Sequence, residues 1–504
     1  MRSIARAAVL IGGIIAFLLS LSPSAWAVPS YTRRYGVECS NCHSVWGALT
    51  QAGNTFKLSG YRAINGLDLK PESEDIELSH GLLTIPTTLP LSFITGVGFD
   101  SRTEKRNDGA GNSNTARGSS LAVEDASIFL TSPLGKHLSA FVEFPMFETR
   151  AWEFTPTGLS SVTKENFPAR QIKFSTETPS FEVAKFFWNN VAGDSMPRDS
   201  VNLLFGITHL PLAYSPGKVR LPVNQDLIYE RRALDLISRV PTDTLVGDAA
   251  DSLFRLSEPQ GIVELYGMIV PGSEVTDLKK RETWWIEYHA GISNGSNAKA
   301  DNNNDKDVYG RITLRGRNQA FGFFALHSPD TYDDNIRSNA ATSVSFPVAS
   351  GTLNGIMSGA QVKNARTTYG PNFTLSLAPW GIPVSFDNDI HFNKESSPTG
   401  FGKEFKWKGG LHQVNWQSSK ETMSYVRYDW IRGDRFDDTT STFNGTSGVT
   451  NVEPREHDWV LGVQHLLDQN IKLIGEYRNH RFEDKVSGGT LTDNGFTMRI
   501  MIGF

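Results

Sequence analysis

The chain has 504 residues, 39% of them hydrophobic and 20% charged, with 45 glycines, two cysteines and a formal net charge of −5. This balance gives no electrostatic footprint for nucleic acid, and past the first residues no apolar run reaches the roughly 18 residues of a membrane-crossing helix. A mean hydropathy of −0.30 suits a soluble secreted protein and a membrane β-barrel alike, because only alternate residues of a barrel strand face lipid.

Residues 1–27 read as a secretory signal peptide. Arg2 and Arg6 form a charged start, Ala7 to Leu21 is almost continuously apolar, and Ala25-Trp26-Ala27 offers small residues at the cleavage positions. Losing two arginines takes the formal charge from −5 to −7.

Residues 28–80 form a small segment around Cys39-Ser40-Asn41-Cys42-His43, which holds both cysteines of the chain. A zinc site would need a second ligand pair, and a thioredoxin-like motif would need a βαβ context. Neither is present. Two thiols followed at once by histidine is the spacing for one covalent haem c (heme c), each thiol adding to a vinyl group and His43 ligating the iron on one face. Leu49, Phe56 and Tyr61 are candidates to cover the haem, with Trp46 beside His43. About 50 residues bury a haem poorly alone, so the segment needs a second wall. The acidic stretch 71–87 reads as a solvated linker, with His80 near its end.

From residue 88 the period becomes two. Sixteen strands are predicted over 88–101, 120–131, 137–149, 178–190, 199–209, 259–270, 281–293, 306–316, 319–329, 366–378, 382–394, 404–416, 420–433, 456–466, 470–481 and 493–504. Several reach the roughly 9–11 residues of a tilted membrane strand. In 281–293, Trp284, Ile286, Tyr288, Ala290 and Ile292 oppose Glu287 and His289. In 470–481, Ile471, Leu473 and Tyr477 oppose Lys472, Glu476, Arg478 and His480. Trp284, Tyr288, Tyr428, Trp430, Trp459 and Tyr477 suit interfacial girdles.

Short turns at 133–136, 317–318, 379–381, 417–419 and 467–469 alternate with long or polar connections such as 294–305, the outer-membrane barrel pattern. An even strand count puts both barrel ends on the short-turn, periplasmic side. Phe504, closing an alternating strand, resembles the C-terminal signal of bacterial outer-membrane proteins. The fold expected is mainly β: a transmembrane antiparallel barrel of about 16 strands over 81–504, its lumen plugged or capped by the small helical or irregular segment. Residues 225–240 read as a short helix that enters the lumen or caps the outside. The stretches 150–177 and 210–258 are long enough to hide a strand pair.

The run Pro29, Arg33, Tyr35-Gly36, Cys39 to His43, Leu49, Gly53, Phe56-Lys57 and Gly60-Tyr61 resembles the fused monohaem cytochrome–porins of bacterial outer membranes, among them the outer-membrane iron-oxidising cytochromes. It spans about 35 residues; Gly47, Thr50 and Asn54 depart from the family's pattern. The resemblance implies a haem plug in or beneath a porin barrel. Electrons would pass from extracellular Fe(II), or another donor, to a periplasmic cytochrome or other carrier, making the chain a candidate Fe(II) oxidase embedded in outer-membrane lipid. The alternative is a haem-plugged porin serving another redox partner or passing solutes.

No methionine lies between Val28 and Pro145, which excludes a local Met as sixth ligand. His80 is the first candidate, with lumen-facing His289 and His480 behind it. Arg33, Arg34 and Lys57 are candidates to neutralise propionates, and Asp301, Asp305 and Asp307 to attract Fe(II).

Overall fold

The computed structural model describes residues 30–37, 42–62, 75–107, 113–148, 183–214, 227–237, 254–270, 284–295, 305–329, 345–354, 364–398, 403–438 and 442–503, with short gaps inside some of these ranges. Its centre is a closed antiparallel barrel of sixteen strands. In chain order they are β1 Leu91–Asn107, β2 Ser113–Pro133, β3 Leu138–Glu148, β4 Val183–Trp188, β5 Asn202–Thr208, β6 Gln260–Ile269, β7 Trp284–Ser293 and β8 Asp307–Gly316. The second half is β9 Gln319–Ser328, β10 Arg366–Ser376, β11 Val384–Glu395, β12 Phe405–Gln417, β13 Thr422–Gly433, β14 Pro454–Asp468, β15 Ile471–Asp484 and β16 Thr490–Gly503. Each strand pairs with its sequence neighbours. β16 closes on β1 in a register that sets Thr490 opposite Asn107 and Gly503 opposite Ile94. All sixteen predicted strands are present, and 150–177 lies outside the described residues.

The barrel is polar inside and apolar outside. Along β14, Glu456, Asp458 and Gln464 are buried while Trp459, Leu461 and Val463 are exposed. The same alternation sets Thr313 at 0% exposure between Ile312 at 55% and Leu314 at 44% on β8. A soluble sandwich turns its apolar residues toward a second sheet. Here they form an outer belt, with Trp459 and Tyr477 among them, as a lipid-facing surface requires. The charges are paired inside, where no lipid penalises them: Arg478 Nε lies 2.6 Å from Asp458 and Arg427 Nε 3.2 Å from Asp429.

β1 and β2 run for 17 and 21 residues, well beyond the roughly 9–11 that cross the membrane. Sequence periodicity stops the first at 101 and starts the second only at 120. In Arg102-Thr103-Glu104-Lys105 and Arg117-Gly118-Ser119 both faces are polar, so the apolar alternation stops where the lipid stops although the ladder continues to Asn107↔Ser113. The first-strand start and last-strand end share one mouth with the short turns at 317–318 and 469–470. Phe504 lies outside the described residues.

Two pieces of chain enter the lumen. One is the N-terminal segment, with helices α1 Ser30–Tyr35 and α2 Gln51–Leu58. The other belongs to the β5–β6 connection and carries α3 Leu227–Glu230 and α4 Ala233–Ile237. The predicted helix over 225–240 is thus two short turns, broken at Arg231-Arg232 because the Ala233 amide donates to Glu395 Oε1 at 2.9 Å. The stretch read as a solvated linker is a hairpin, Asp75–Leu78 against Leu83–Pro86. It straddles the boundary expected at residue 80, and its Glu77 and Ile76 are exposed as an acidic connector's would be.

Candidate functional site

The motif is held by the start of α2. The Thr50 amide donates to Cys42 O at 2.9 Å. Thr50 also N-caps the helix, its hydroxyl accepting from Gly53 N at 3.2 Å, which satisfies one of the orphan donors of the first turn. A two-residue bridge pairs His43 with Leu49 and Val45 with Ala48. Gly53 is required here, since a Cβ at that position would lie 2.1 Å from Cys42 O. Gly53→Ala is expected to lever the Cys42 turn off the helix at about 1–3 kcal/mol, the usual penalty of overpacking. Faster proteolysis within 30–62, with the barrel's gel mobility unchanged, would check it.

Cys42 and His43 are each half-buried. Cys39, Trp46 and His80 lie outside the described residues. Within the same segment, Phe56 of α2 meets Tyr31 at 5.1 Å and Tyr35 at 5.8 Å, both edge-on. Phe56 is buried, as expected of a residue covering a prosthetic group or a small core.

The helix ends in a Schellman motif. Tyr61 N donates to Phe56 O at 3.0 Å and Gly60 N to Lys57 O at 3.1 Å, with Gly60 at φ +68°, the left-handed conformation that glycine adopts without penalty. This turn delivers Tyr61 and Arg62 to the barrel wall. Tyr61 stacks on Tyr31 at 5.4 Å on one side and on Phe141 of β3 at 5.4 Å on the other. It also meets Phe187 of β4 edge-on at 5.5 Å, and the Lys185 ammonium lies 5.8 Å from its ring centre. Tyr61 therefore docks the segment on the barrel wall.

Arg62 reaches Asp199, in the β4–β5 turn, at 3.2 Å. Burial pushes the Asp199 carboxyl up from its ordinary value and Arg62 pulls it back; burial likewise lowers the Arg62 guanidinium. Desolvation outweighs attraction, so the pair contributes register more than stability. Losing one partner is costly. Arg62→Ala is expected to loosen the segment by about 3 kcal/mol, the low end for a broken buried pair, because Arg198 stands 3.6 Å from the same carboxylate. Hydrogen exchange of the 51–58 amides would read it.

At the other end, the Ser30 amide donates to Ser92 Oγ at 2.8 Å, and its hydroxyl lies 2.5 Å from Thr131 Oγ1. Arg33 donates to Leu89 O at 3.2 Å and to Leu91 O. Its Nη2 is thereby tied to the barrel wall. Thr131, Ser139 and Phe187 sit on the inner face beside outward Leu130, Leu138 and Phe186. The segment is thus lodged in the lumen at the short-turn mouth, with the His43–Val45 bridge beside β14.

The alternative histidines are engaged. His289 Nδ1 lies 2.8 Å from Glu264 and Nε2 3.1 Å from Glu287. His480 Nε2 lies 2.5 Å from Glu456. Among the described residues no group of three His, Cys, Asp or Glu is arranged to hold a metal ion. Asp307 is not a loop charge: it is buried in β8 and accepts from Ser293 Oγ at 3.2 Å. Asp301 lies outside the described residues. Sequence reasoning missed Ser30, Arg62 and Asp199, whose partners lie 62 to 137 residues away with no local pattern to reveal them.

Closure, an inside-out polarity and a plugged mouth define a membrane β-barrel of the outer-membrane type. Solved structures to which the chain is similar include OmpT of Vibrio cholerae in a loop L8 deletion form, at 10% identity over 82% of this chain and 99% of that one, with a TM-score of 0.43. The outer-membrane channel DcaP of Acinetobacter baumannii is similar at 10% identity over 86% and 100%, TM-score 0.43. An anion-selective porin from Comamonas acidovorans is similar at 11% over 82% and 99%, TM-score 0.42. No family model and no curated protein matches the chain.

Proposed function

We propose that this chain is an outer-membrane electron-transfer protein, a barrel whose lumenal N-terminal segment carries one covalent haem. Cys39 and Cys42 would hold the group by thioethers and His43 would ligate its iron. The observation that carries the reading is the docking of the motif-bearing segment on the inner wall, through Ser30–Thr131, Tyr61–Phe141 and Arg62–Asp199. The donor set fits such a group. Cys42 and His43 are adjacent and half-buried, in a segment that also carries the aromatic trio Tyr31, Tyr35 and Phe56.

When bound, the haem supplies a one-electron centre whose potential follows its burial and hydrogen bonding. The chain's own contribution is positional. About 30 Å of hydrocarbon separates a donor outside from carriers in the periplasm. The barrel wall holds the segment in the lumen between them, and it supplies the wall that so small a segment lacks. The resemblance of residues 29–61 to the cytochrome–porins names extracellular Fe(II) as donor and a periplasmic cytochrome as acceptor. Anaerobic addition of Fe(II) to purified haem-loaded protein should shift the haem bands to their reduced positions. Unchanged bands would exclude Fe(II) as donor.

A second reading, a haem-bearing porin that serves another redox partner or passes solutes, is supported by the charged lining. Glu287 is held by Arg315 at 3.0 Å and Arg311 at 3.7 Å, and Asp458 by Arg478 at 2.6 Å. Uptake of small solutes by vesicles carrying the protein, without haem reduction by Fe(II), would favour it.

A further inference from the structure

A closed barrel of sixteen strands is too wide for its own side chains to fill, and barrels of this size ordinarily leave an aqueous channel. Here part of the inner face is apolar and buried. One apolar cluster joins Phe324 and Leu326 of β9, Trp407 and Leu411 of β12, Ile431 of β13, Phe482 of β15 and Leu491 of β16. What bridges them is the inserted β5–β6 connection. Its Ile228, Tyr229, Ala233 and Leu256 have 0% exposure, in a chain segment that leaves the barrel wall to reach them.

This strap is rooted at β5 and β6 and fastened to the far wall. Tyr229 Oη donates to Asp389 of β11. Arg231 donates to both carboxylate oxygens of Glu456 on β14, at 2.6 and 3.0 Å. The Ala233 amide donates to Glu395 of β11 at 2.9 Å, and Tyr214 Oη to Phe373 O of β10 at 2.8 Å. On β12, Gly409 leaves the space that Ile228 fills; a Cβ there would lie 2.7 Å from Ile228 Cγ2. Buried carboxylates matched one by one to donors on the strap make release costly, since Glu456, Glu395 and Asp389 would keep only His480, Asn364 and His391 as partners and each would lose a buried hydrogen bond. A packed apolar layer fixed by such latches is as dense as a protein interior and has little room for water.

We propose that the strap seals the lumen, so that the barrel passes neither ions nor small solutes along its axis, which chooses against the solute-passing form of the second reading above. The seal is independent of haem, so a failed Fe(II) reduction leaves it standing. The test is single-channel conductance of the full chain in planar bilayers. Two variants accompany it: one with residues 213–257 replaced by a Gly/Ser linker, and one carrying Tyr229→Asp and Arg231→Glu, which set carboxylates against Asp389 and Glu456. Heat-modifiable gel mobility confirms that each barrel is folded, and the double variant, whose strands are untouched, stands in if the replacement does not fold.

The natural chain is expected to show no open-channel steps and the folded variant discrete ones, with sugar permeation into vesicles appearing in parallel. Open-channel steps from the natural chain would overturn the proposal. So would a folded strap variant that stays silent, since the N-terminal segment alone would then close the barrel.

Discussion

The double substitution Cys39→Ala/Cys42→Ala is expected to yield a folded, heat-modifiable barrel with no haem absorbance and no haem staining on denaturing gels. No thioether can form without a thiol. The segment's anchors at Ser30, Tyr61 and Arg62 do not replace one, because they hold protein to protein. The barrel's stability lies elsewhere, in a closed ladder whose closing pair, β16 on β1, begins at residue 94. The effect should therefore be near-complete loss of cofactor with little loss of fold. Haem that survives denaturation in this variant would contradict covalent attachment through the motif. A barrel that fails to form would show that the segment is needed for assembly.

Leu461→Arg is expected to destabilise the inserted barrel by about 2–4 kcal/mol, the cost of a cationic side chain facing lipid near the bilayer midplane. Leu461 is 50% exposed, near the middle of β14, between buried Val460 and Gly462. Arginine placed at His457, four residues toward the long-loop end, should cost about 0–1 kcal/mol, as the penalty fades toward the interface. Urea unfolding from lipid vesicles would give both. Equal, small effects at the two positions would mean that this face does not contact hydrocarbon, and the membrane reading would fail with it.

The barrel was legible because lipid enforces it. Wherever a strand crosses hydrocarbon, its outer residues must be apolar and its inner ones are free to be charged, so Trp284 to Ile292 and Ile471 to His480 announce both the strand and its faces. Legibility ended where that force ended. The polar extensions of β1 and β2 are held by ladder hydrogen bonds without an apolar face, and the hairpin at 75–86 carries Glu77 and exposed Ile76 and Leu78 in no clear alternation.

The site was legible only in its chemistry. Cys39, Cys42 and His43 stand out by spacing, whereas the placement of Cys42 and His43 in the lumen depends on Arg62 meeting Asp199 and Ser30 meeting Thr131, pairs 137 and 101 residues apart. The strap shows both limits at once. Leu227, Ile228 and Leu236 marked a helical stretch, but its break at Arg231-Arg232 and its latches follow from Asp389, Glu395 and Glu456, more than 150 residues downstream.

The most direct measurement is the intact mass of the purified mature chain after denaturation, with alkylation of any free thiols. One haem added to the chain, with Cys39 and Cys42 both refractory to alkylation, is the expected result. The mass of the bare polypeptide, with its two thiols alkylated or joined to each other, would contradict it.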